Sequence, residues 1–236
     1  MENYVFIFFT GNTNKAKEIS QILGKEFPFL TVDPGQDIFD AEEIQAVSVE
    51  KVASKKLDAS HSVLDKLIIN NMLNIDLRGK NLILAVEDTG LGFESMGSYK
   101  DEGFFPGALI KFYYTSMKKD NKKICDTLHG SKAESITCIA TVMISGNEVT
   151  KLSVLCGKIE GRVSNEPRGE NGFDYDKLLE VYYKGKWNTY AELEDDQKNE
   201  ISPRALALKQ LKTMFKRLNV TFNNLHEFNE KTIRLK

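Results

Sequence analysis

Uninterrupted runs of apolar residues mark the strands that this sequence predicts. Residues 4–9 and 82–86 consist of β-branched, aromatic and other apolar side chains, which is typical of strands buried on both faces. Residues 137–144 and 149–155 predict two further strands, and the Ser-Gly-Asn-Glu segment between them predicts a hairpin turn. We therefore expect the second pair to be antiparallel.

Apolar residues at helical spacing predict helices between these strands. One helix follows the first strand and stops near Gly24, and a second is predicted over about residues 42–58. Ser202 and Pro203 are typical of an N-cap and a first helical position, so a third helix begins there. Residues 58–80 also hold apolar positions that suit a helix. Alternating strands and helices with one hairpin predict a single α/β domain with a mixed sheet flanked by helices.

The composition is that of a globular protein with an apolar core. Of the 236 residues, 41% are hydrophobic and 28% are charged, which argues against disorder and against collagen-like or coiled-coil classes. The formal net charge of -2 gives no sign of a nucleic-acid or membrane partner, so we expect neither. Chemistry that depends on charge must then be local.

The cysteines and the N-terminus bear on where the protein works. Cys125, Cys138 and Cys156 lack metal-binding spacing, and their odd number predicts reduced thiols, with Cys138 and Cys156 as small buried side chains. The longest apolar run near the N-terminus is too short for a signal peptide or a membrane span. We therefore expect a cytoplasmic protein.

The turn after the first predicted strand is suited to phosphate. Residues 10–15 lead from a strand into a helix, where backbone N–H groups carry partial positive charge and a lysine adds a full cation. The spacing is not that of a P-loop. A plain strand-turn-helix with a capping asparagine and a solvated lysine fits the same residues, so both interpretations stay open.

Two adjacent carboxylates, Glu87 and Asp88, follow the second buried strand. Open α/β sheets bind ligands at the carboxyl ends of their strands, and Mg²⁺ binds through one or two carboxylates plus substrate phosphates. Because adjacent strand residues point to opposite faces, we expect one of the two to enter the site. Gly90 and Gly92 would let a ligand approach the backbone closely. A solvated strand end is the alternative.

Two later segments carry side chains suited to recognising a base. The loop at residues 167–176 holds Phe173 and Tyr175, which alternate, so one ring can face a ligand while the other packs inward. Core packing of both rings is the alternative. Lys198 and Arg204 lie close to a helix start, where cations are disfavoured, so Arg204 is either solvated or used in recognition.

Taken together, five motifs resemble the inosine triphosphate pyrophosphatase family, whose members remove non-standard purine nucleoside triphosphates. The motifs, in chain order, are residues 9–15 with Glu18, residues 86–91, residues 105–111, residues 161–176, and residues 189–193 leading to Lys198, Asn199 and residues 202–204. Their shared order carries the resemblance, which covers most of the chain.

The resemblance implies a fold and a reaction. It implies a homodimer of two-lobed α/β subunits, each with an elongated mixed sheet and an active-site cleft between the lobes. It also implies Mg²⁺-dependent hydrolysis, with Mn²⁺ as a substitute, of ITP, dITP and XTP between the α and β phosphates. The products would be a nucleoside monophosphate and pyrophosphate.

The resemblance further implies roles for individual residues. Asp88 would be the metal-associated acid and the base for the attacking water, with Lys15 and Glu87 as catalytic neighbours and Asp40 or Glu43 as a second metal ligand. The residues implied to contact substrate are Thr10, Gly11, Asn12, Thr13, Asn14, Lys15, Lys51, Thr89, Lys111, Phe173, Asp174, Tyr175, Asp176, Lys198, Pro203 and Arg204. Lys198 and Arg204 can donate hydrogen bonds to the 6-oxo group of a purine, whereas adenine presents an amine at that position.

Two positions depart from the family pattern. Pro203 stands where the family has a histidine that helps to read the base, and proline has no donor. Asp174 replaces a glycine and adds a carboxylate near the expected base pocket. These changes predict altered or relaxed base selectivity, and they leave open a catalytically weak nucleotide-binding dimer. Retention of Lys15, Glu87, Asp88 and Lys111 favours an enzyme.

Other segments look additional to the family pattern. Residues 58–80 and 100–104 are interpreted as insertions, and residues 219–236 as a basic C-terminal extension. Residues 209–236 carry seven Lys or Arg against two Glu, which predicts a solvated helix face and tail. Nothing in that run predicts a nucleic-acid groove.

Base selectivity can be tested by measuring pyrophosphate release from ITP, XTP, GTP, dUTP and ATP in the presence of Mg²⁺. We expect ITP not to be preferred in the family's usual way, because the histidine donor is replaced by Pro203 and a carboxylate is added at Asp174. A strong preference for ITP would contradict this prediction.

Overall fold

The computed structural model describes residues 3–32, 44–100, 102–172, 174–228 and 230–236. Within these ranges the strands are β1 (Asn3–Phe8), β2 (Leu30–Val32), β3 (Asn81–Phe93), β4 (Pro106–Gly107), β5 (Lys132–Ser145), β6 (Glu148–Lys151), β7 (Leu155–Val163), β8 (Leu179–Tyr183), β9 (Lys186–Thr189), β10 (Thr221–Phe222) and β11 (Thr232–Ile233). The α-helices are α1 (Thr13–Leu23), α2 (Val49–Ile69), α3 (Ile110–Ser116), α4 (Asn121–Leu128), α5 (Asp195–Ile201) and α6 (Pro203–Arg217). Among the described residues, no helix is long and apolar enough to cross a membrane.

One mixed sheet runs through the molecule. Its strand order is β11-β2-β1-β3-β5-β7-β8-β9, with β10 added to β1, β4 to β3 and β6 to β5. The pairs around β1 are parallel, and the pairs from β3 to β9 are antiparallel. The predicted α/β fold with a mixed sheet flanked by helices is thus confirmed, as is the antiparallel pairing of β5 with β6.

The two strands at the centre are buried on both faces, as their sequences predict. Val5 of β1 and Leu84 of β3 pack with the buried side of α2. Phe6 and Phe8 of β1 pack on the opposite face with α1 and with Leu211 of α6. A third core, formed by β3, β5, β7, β8, α3 and α4, covers the other end of the sheet. The apolar runs therefore stabilise a sheet that has helices on both sides.

The second helix differs from its predicted range. It begins at Val49 rather than near residue 42, because the Ser48 side chain caps it by accepting a hydrogen bond from the Lys51 backbone N–H. It continues to Ile69, since the apolar spacing of residues 58–69 extends the same buried stripe. The helical pattern noted after residue 58 is therefore the second half of α2.

The second buried strand also runs further than predicted. β3 does not end at Val86 but continues to Phe93, because β5 pairs with it in register from Leu82 to Phe93. β1 pairs with β3 only as far as Ala85, and β4 pairs with it from Leu91. In the described part of the chain, the edge of β3 between those two pairings has no strand beside it.

Two further expectations are wrong. The C-terminal segment is not a solvated tail, because β10 pairs with β1, β11 pairs with β2, and Ile233 is fully buried. Cys138 and Cys156 are not free thiols: they face each other across β5 and β7 and form a disulfide. Cys125 is a free buried cysteine, and burial raises the pKa of its thiol to about 11.

Helix α6 lies directly on the sheet at Gly157 of β7. A Cβ at Gly157 would lie 2.0 Å from the Pro203 carbonyl oxygen and 2.7 Å from the Ala207 backbone nitrogen. The helix starts there because Ser202 caps it and Pro203 occupies its first position, as the sequence predicts. This contact sets the height of α6 above the sheet.

We expect Gly157→Ala to lower the free energy of unfolding by about 1–3 kcal/mol, because the added methyl group has no room against backbone atoms. Urea denaturation of the purified variant measures this. Lys158→Ala, at the next residue of β7 with an exposed side chain, should cost no more than about 1 kcal/mol. Equal losses of unfolding free energy in the two variants would contradict the close contact between α6 and Gly157.

Candidate active site

A cleft of about 1010 Å³ opens where β1 ends and β3 continues. Its walls come from the turn between β1 and α1, the β3 segment around Glu87, the start of α3, and the segments around Asp174 and Pro203. The unpaired edge of β3 brings the side chains of both sheet faces to one opening. The geometry therefore collects residues that are far apart in the sequence.

The turn into α1 forms one wall of the cleft. Asn12 is the N-cap, and its side-chain oxygen accepts hydrogen bonds from the backbone N–H groups of Asn14 (3.0 Å) and Lys15 (3.2 Å). The Asn12 N–H in turn donates to the Thr10 hydroxyl at 3.3 Å. The helix begins at the cleft, so the positive end of its dipole faces the opening.

Glu87 is a buried carboxylate on the floor of the cleft. Only 2% of the residue is exposed, and it contacts Lys15 from α1 at 3.0 Å and Arg204 from α6 at 3.0 Å. Burial alone would raise its pKa, but Arg204 and Lys15 outweigh that effect and hold the pKa at about 2. The glutamate is therefore ionised and joins two helices to β3.

Glu18 of α1 extends this network toward the other end of the cleft. It pairs with Arg204 and, at 3.3 Å, with Lys198 of α5, which also contacts Asp176 at 2.7 Å. Lys198 and Arg204 are 8% and 6% exposed, so neither is solvated. Arg204 is the second residue of α6, and the carboxylates of Glu87 and Glu18 offset the repulsion between its charge and the positive end of the helix dipole. Lys198 lies toward the C-terminal end of α5, where the dipole favours a cation.

Asp88 and Thr89 continue the edge of β3 beyond Glu87. Alternation along the strand turns Glu87 toward α1 and α6 and Asp88 toward α2. Both carboxylates nevertheless line the cleft, because it opens at the strand edge rather than on one face. Glu87 is covered there by Lys15 and Arg204, and the expectation that one of the two carboxylates meets a ligand stays a prediction. The Thr89 hydroxyl lies 2.9 Å from that of Thr137 on β5.

The loop after Asn171 forms the wall of the cleft beside α3. Asp174 has a positive φ of 51°, and its carbonyl accepts hydrogen bonds from the Tyr114 hydroxyl (3.0 Å) and the Asn121 amide (3.2 Å). The Tyr175 ring packs edge-to-face on Tyr114, with 6.3 Å between centroids, and burial raises the pKa of the Tyr175 phenol. These contacts fix the loop against α3.

Most of the residues implied to act on substrate lie together on this cleft. They are Thr10, Gly11, Asn12, Thr13, Lys15, Glu87, Asp88, Thr89, Lys111, Asp174, Tyr175, Asp176, Lys198, Pro203 and Arg204. Asn14 and Lys51 are not among the lining residues: Asn14 contributes a backbone N–H to the cap, and Lys51 pairs with Glu102. Asp40, Glu43 and Phe173 lie outside the described residues.

Several lining residues were not singled out from the sequence. Lys56 of α2, Lys119 after α3, Phe112 and Tyr190 all face the cleft. Tyr190 belongs to the motif at residues 189–193, and Phe112 follows Lys111 directly, so both had a local signal. Lys56 lies in ordinary helical sequence and Lys119 in the turn after α3, and at both places a lysine is typical of a solvated surface.

Asp88 offers the kind of ligand that Mg²⁺ prefers. In the described part of the chain, no three His, Cys, Asp or Glu side chains form a group that could hold a metal ion. Mg²⁺ commonly binds through one or two carboxylates and completes its shell with water and substrate phosphates. A cleft in which the Asp88 carboxylate lies among several lysines fits that mode of binding.

Replacing Glu87 by Gln should destabilise the fold. The change leaves Lys15 and Arg204 without their shared buried anion, so we expect a loss of about 3 kcal/mol in the free energy of unfolding. Glu160→Gln removes an exposed partner of Lys132 and should cost less than about 1 kcal/mol. Urea denaturation of both variants at neutral pH measures the difference.

The difference in stability between the parent and Glu87→Gln should depend on pH. The pKa of Glu87 is about 2 in the folded state, against 4.5 ordinarily. Its ionised form therefore stabilises the fold above pH 4.5, and this stabilisation is lost as the pH falls toward 2. The gap in unfolding free energy between the parent and Glu87→Gln should narrow over that range, and a constant gap would contradict the assignment.

The chain is similar to known proteins over most of its length. The model of the Ham1 family matches residues 6–214. An inosine triphosphate pyrophosphatase of Kluyveromyces lactis is 32% identical over 208 residues, which cover 87% of this chain and 93% of that protein. A dITP/XTP pyrophosphatase of Bacillus subtilis is 32% identical over 214 residues, with the same coverage of each.

The fold has solved counterparts as well. The structure of a HAM1 protein from Coxiella burnetii superposes with a TM-score of 0.64 at 24% identity, and it covers 90% of this chain and 99% of that one. The family model matches most of the chain, and the relatives are covered over most of their own length. The protein therefore belongs to the Ham1 family.

Proposed function

We propose that the protein hydrolyses non-standard purine nucleoside triphosphates, namely ITP, dITP and XTP, to the nucleoside monophosphate and pyrophosphate. Relatives over most of the chain are named as inosine triphosphate and dITP/XTP pyrophosphatases. The observation that carries the proposal is a cleft lined by both a helix N-terminus with Lys15 and the carboxylate of Asp88. The activity would remove unwanted nucleotides from the pool.

The triphosphate would bind at the α1 wall. Residues 10–13 offer backbone and side-chain donors there, and Lys15 and Lys111 are cations on the same cleft. Phosphoryl transfer needs positioning and neutralisation of charge more than covalent chemistry from the protein. Lys15 is held by Glu87, so its ammonium reaches the cleft already oriented.

Asp88 would act on the attacking water. Its carboxylate would accept the proton of a water that attacks the phosphoanhydride, while the bond to the departing pyrophosphate breaks. Asp88 would also hold Mg²⁺, or Mn²⁺ in its place, and the bound ion would neutralise phosphate charge. Asp40 or Glu43 remains the proposed second ligand. Glu87 would act as a positioning residue, because it lies beneath Lys15 and Arg204.

The base would bind toward Asp176. Lys198 and Arg204 line that part of the cleft and can donate to a 6-oxo group, while Phe173 and Tyr175 remain the candidate stacking rings. Pro203 is buried on the cleft wall and Asp174 lies at its rim. These two residues support a second candidate, a pyrophosphatase with altered base selectivity or a catalytically weak nucleotide-binding dimer.

We also propose the wider organisation that the resemblance implies. The chain would form one two-lobed domain, with residues 58–80 as an insertion, and would assemble as a cytoplasmic homodimer. Its partner would be the nucleoside triphosphate, with no role for nucleic acid or membranes. The cleft beside β3 would lie between the lobes.

Pyrophosphate release with Mg²⁺ tests the proposal directly. The parent should release pyrophosphate from at least one of ITP, dITP and XTP, and Asp88→Asn should lower kcat by about 10²-fold or more, because it removes the proposed base. Asp65→Asn, the same change at an exposed position of α2, should leave kcat unchanged.

Two outcomes would contradict the proposal. An Asp88→Asn variant as fast as the parent would remove Asp88 from the mechanism. A parent that binds nucleotide triphosphates but releases no pyrophosphate would favour the catalytically weak binding dimer.

A further inference from the structure

A buried hydroxyl on the cleft wall has no hydrogen-bond partner within the protein. Tyr190 lines the cleft, and only 3% of the residue is exposed. Among the described residues, no group forms a hydrogen bond with its phenol oxygen. A buried hydroxyl without a partner costs free energy, and such groups are uncommon in folded proteins. On the wall of a binding cleft, this one indicates a partner that arrives with the ligand.

Two smaller buried hydroxyls share this condition but not this location. Ser60 lies within α2 and Thr141 within β5, and neither hydroxyl has a partner in the described ranges. Neither residue is among those that line the cleft. The location on the cleft, and not the missing bond alone, distinguishes Tyr190.

The backbone around Tyr190 is held in place by its neighbours. The residue begins a short 3₁₀ turn, Tyr190–Glu192, which directly follows β9. Thr189 caps this turn, because its backbone N–H donates to the Glu192 carboxylate at 2.7 Å and its hydroxyl donates to the Arg168 carbonyl at 2.9 Å. The aromatic ring packs in the core formed by β3, β5, β7, β8, α3 and α4. The phenol oxygen therefore has a fixed position.

The hydroxyl end of Tyr190 lies near the charged residues around Lys198. The Lys198 ammonium is 5.7 Å from the centroid of the Tyr190 ring. Burial raises the pKa of the Tyr190 phenol, and the nearby carboxylates of Asp176 and Glu18 raise it further. The same two carboxylates pair with Lys198. At neutral pH the phenol thus keeps its proton and can donate it in a hydrogen bond beside that ammonium.

A hydrogen-bond acceptor on the ligand would fit beside these two groups. An ammonium offers donors only, and a phenol O–H can donate as well. Pro203, on the same cleft, has no N–H to donate. A carbonyl oxygen has two lone pairs and can accept from both donors, whereas an amine would meet the donors of Lys198. The pair therefore suits an oxo group on a base.

We propose that the Tyr190 hydroxyl donates a hydrogen bond to the oxo group of the substrate's base, beside Lys198. Tyr190 is then a specificity-determining residue for oxo-bearing bases. This assignment rests on the proposed function for the identity of the ligand, a nucleoside triphosphate. The hydroxyl gains its partner only when the nucleotide binds, so its removal affects the bound protein and not the free one.

Isothermal titration with the α,β-methylene analogue of ITP and Mg²⁺ tests the assignment apart from hydrolysis, because the analogue lacks the scissile bond. Tyr190→Phe removes only the hydroxyl and should weaken binding about 3- to 10-fold, which corresponds to one hydrogen bond. The α,β-methylene triphosphate of purine riboside has no oxo group. It should bind Tyr190→Phe and the parent with equal affinity.

Tyr183→Phe is the matched control. The Tyr183 hydroxyl donates to the Glu200 carboxylate at 2.6 Å, and the residue does not line the cleft. This variant should have a lower urea midpoint than the parent, because it loses an existing hydrogen bond, and it should bind the ITP analogue like the parent. Tyr190→Phe should show the reverse, with a urea midpoint equal to or above that of the parent.

The results that overturn the assignment differ from those that overturn the activity. Parent-like binding of the ITP analogue by Tyr190→Phe would overturn it, as would an equal loss for both analogues, which would indicate a role of the ring in packing. A lower urea midpoint in Tyr190→Phe, or a parent that does not bind the ITP analogue, would also overturn it. A parent that releases no pyrophosphate, but whose binding of the ITP analogue depends on Tyr190, would overturn the hydrolysis and support the assignment.

Discussion

The carboxylate of Glu87 lies where β1 has ended and β3 continues, and cations from two helices meet on it. Lys15 comes from α1 and Arg204 from α6, and both lie within 3.0 Å of its oxygens. A buried carboxylate is costly unless it is paired. The positions of α1, α6 and β3 are therefore mutually dependent, and the floor of the cleft exists because all three are in place.

This arrangement also explains how a nearly neutral protein can present a site for a polyanion. The net charge is -2, yet six Lys or Arg side chains and four carboxylates line the described part of the cleft. The carboxylates of Glu87 and Asp176 are buried beneath cations, so they orient positive groups rather than repel a ligand. Local arrangement, and not overall charge, determines the potential that a substrate would meet.

The extended β3 links the fold to the proposed chemistry. Pairing with β5 keeps residues 87–90 in a regular strand, although nothing pairs with them on the β1 side in the described ranges. Regular alternation then turns Glu87 toward α1 and α6 and Asp88 toward α2. One carboxylate can thus position cations while its neighbour faces the ligand, which two residues on a flexible loop would not do reproducibly.

Local signals in the sequence determined much of the framework. The apolar runs specify β1 and β3, the capping residues Asn12 and Ser202 specify the starts of α1 and α6, and the order of motifs specifies the family. These features depend on a few consecutive residues, so they can be predicted from the sequence without knowledge of the fold. Only the tertiary structure decided that β3 continues through Glu87 and that the C-terminal segment adds β10 and β11 to the sheet. It also decided that Cys138 bonds to Cys156, and that Lys56 rather than Lys51 lines the cleft. Each of these depends on which distant strand or helix packs alongside, and pairing between residues far apart in the chain leaves no local pattern in the sequence.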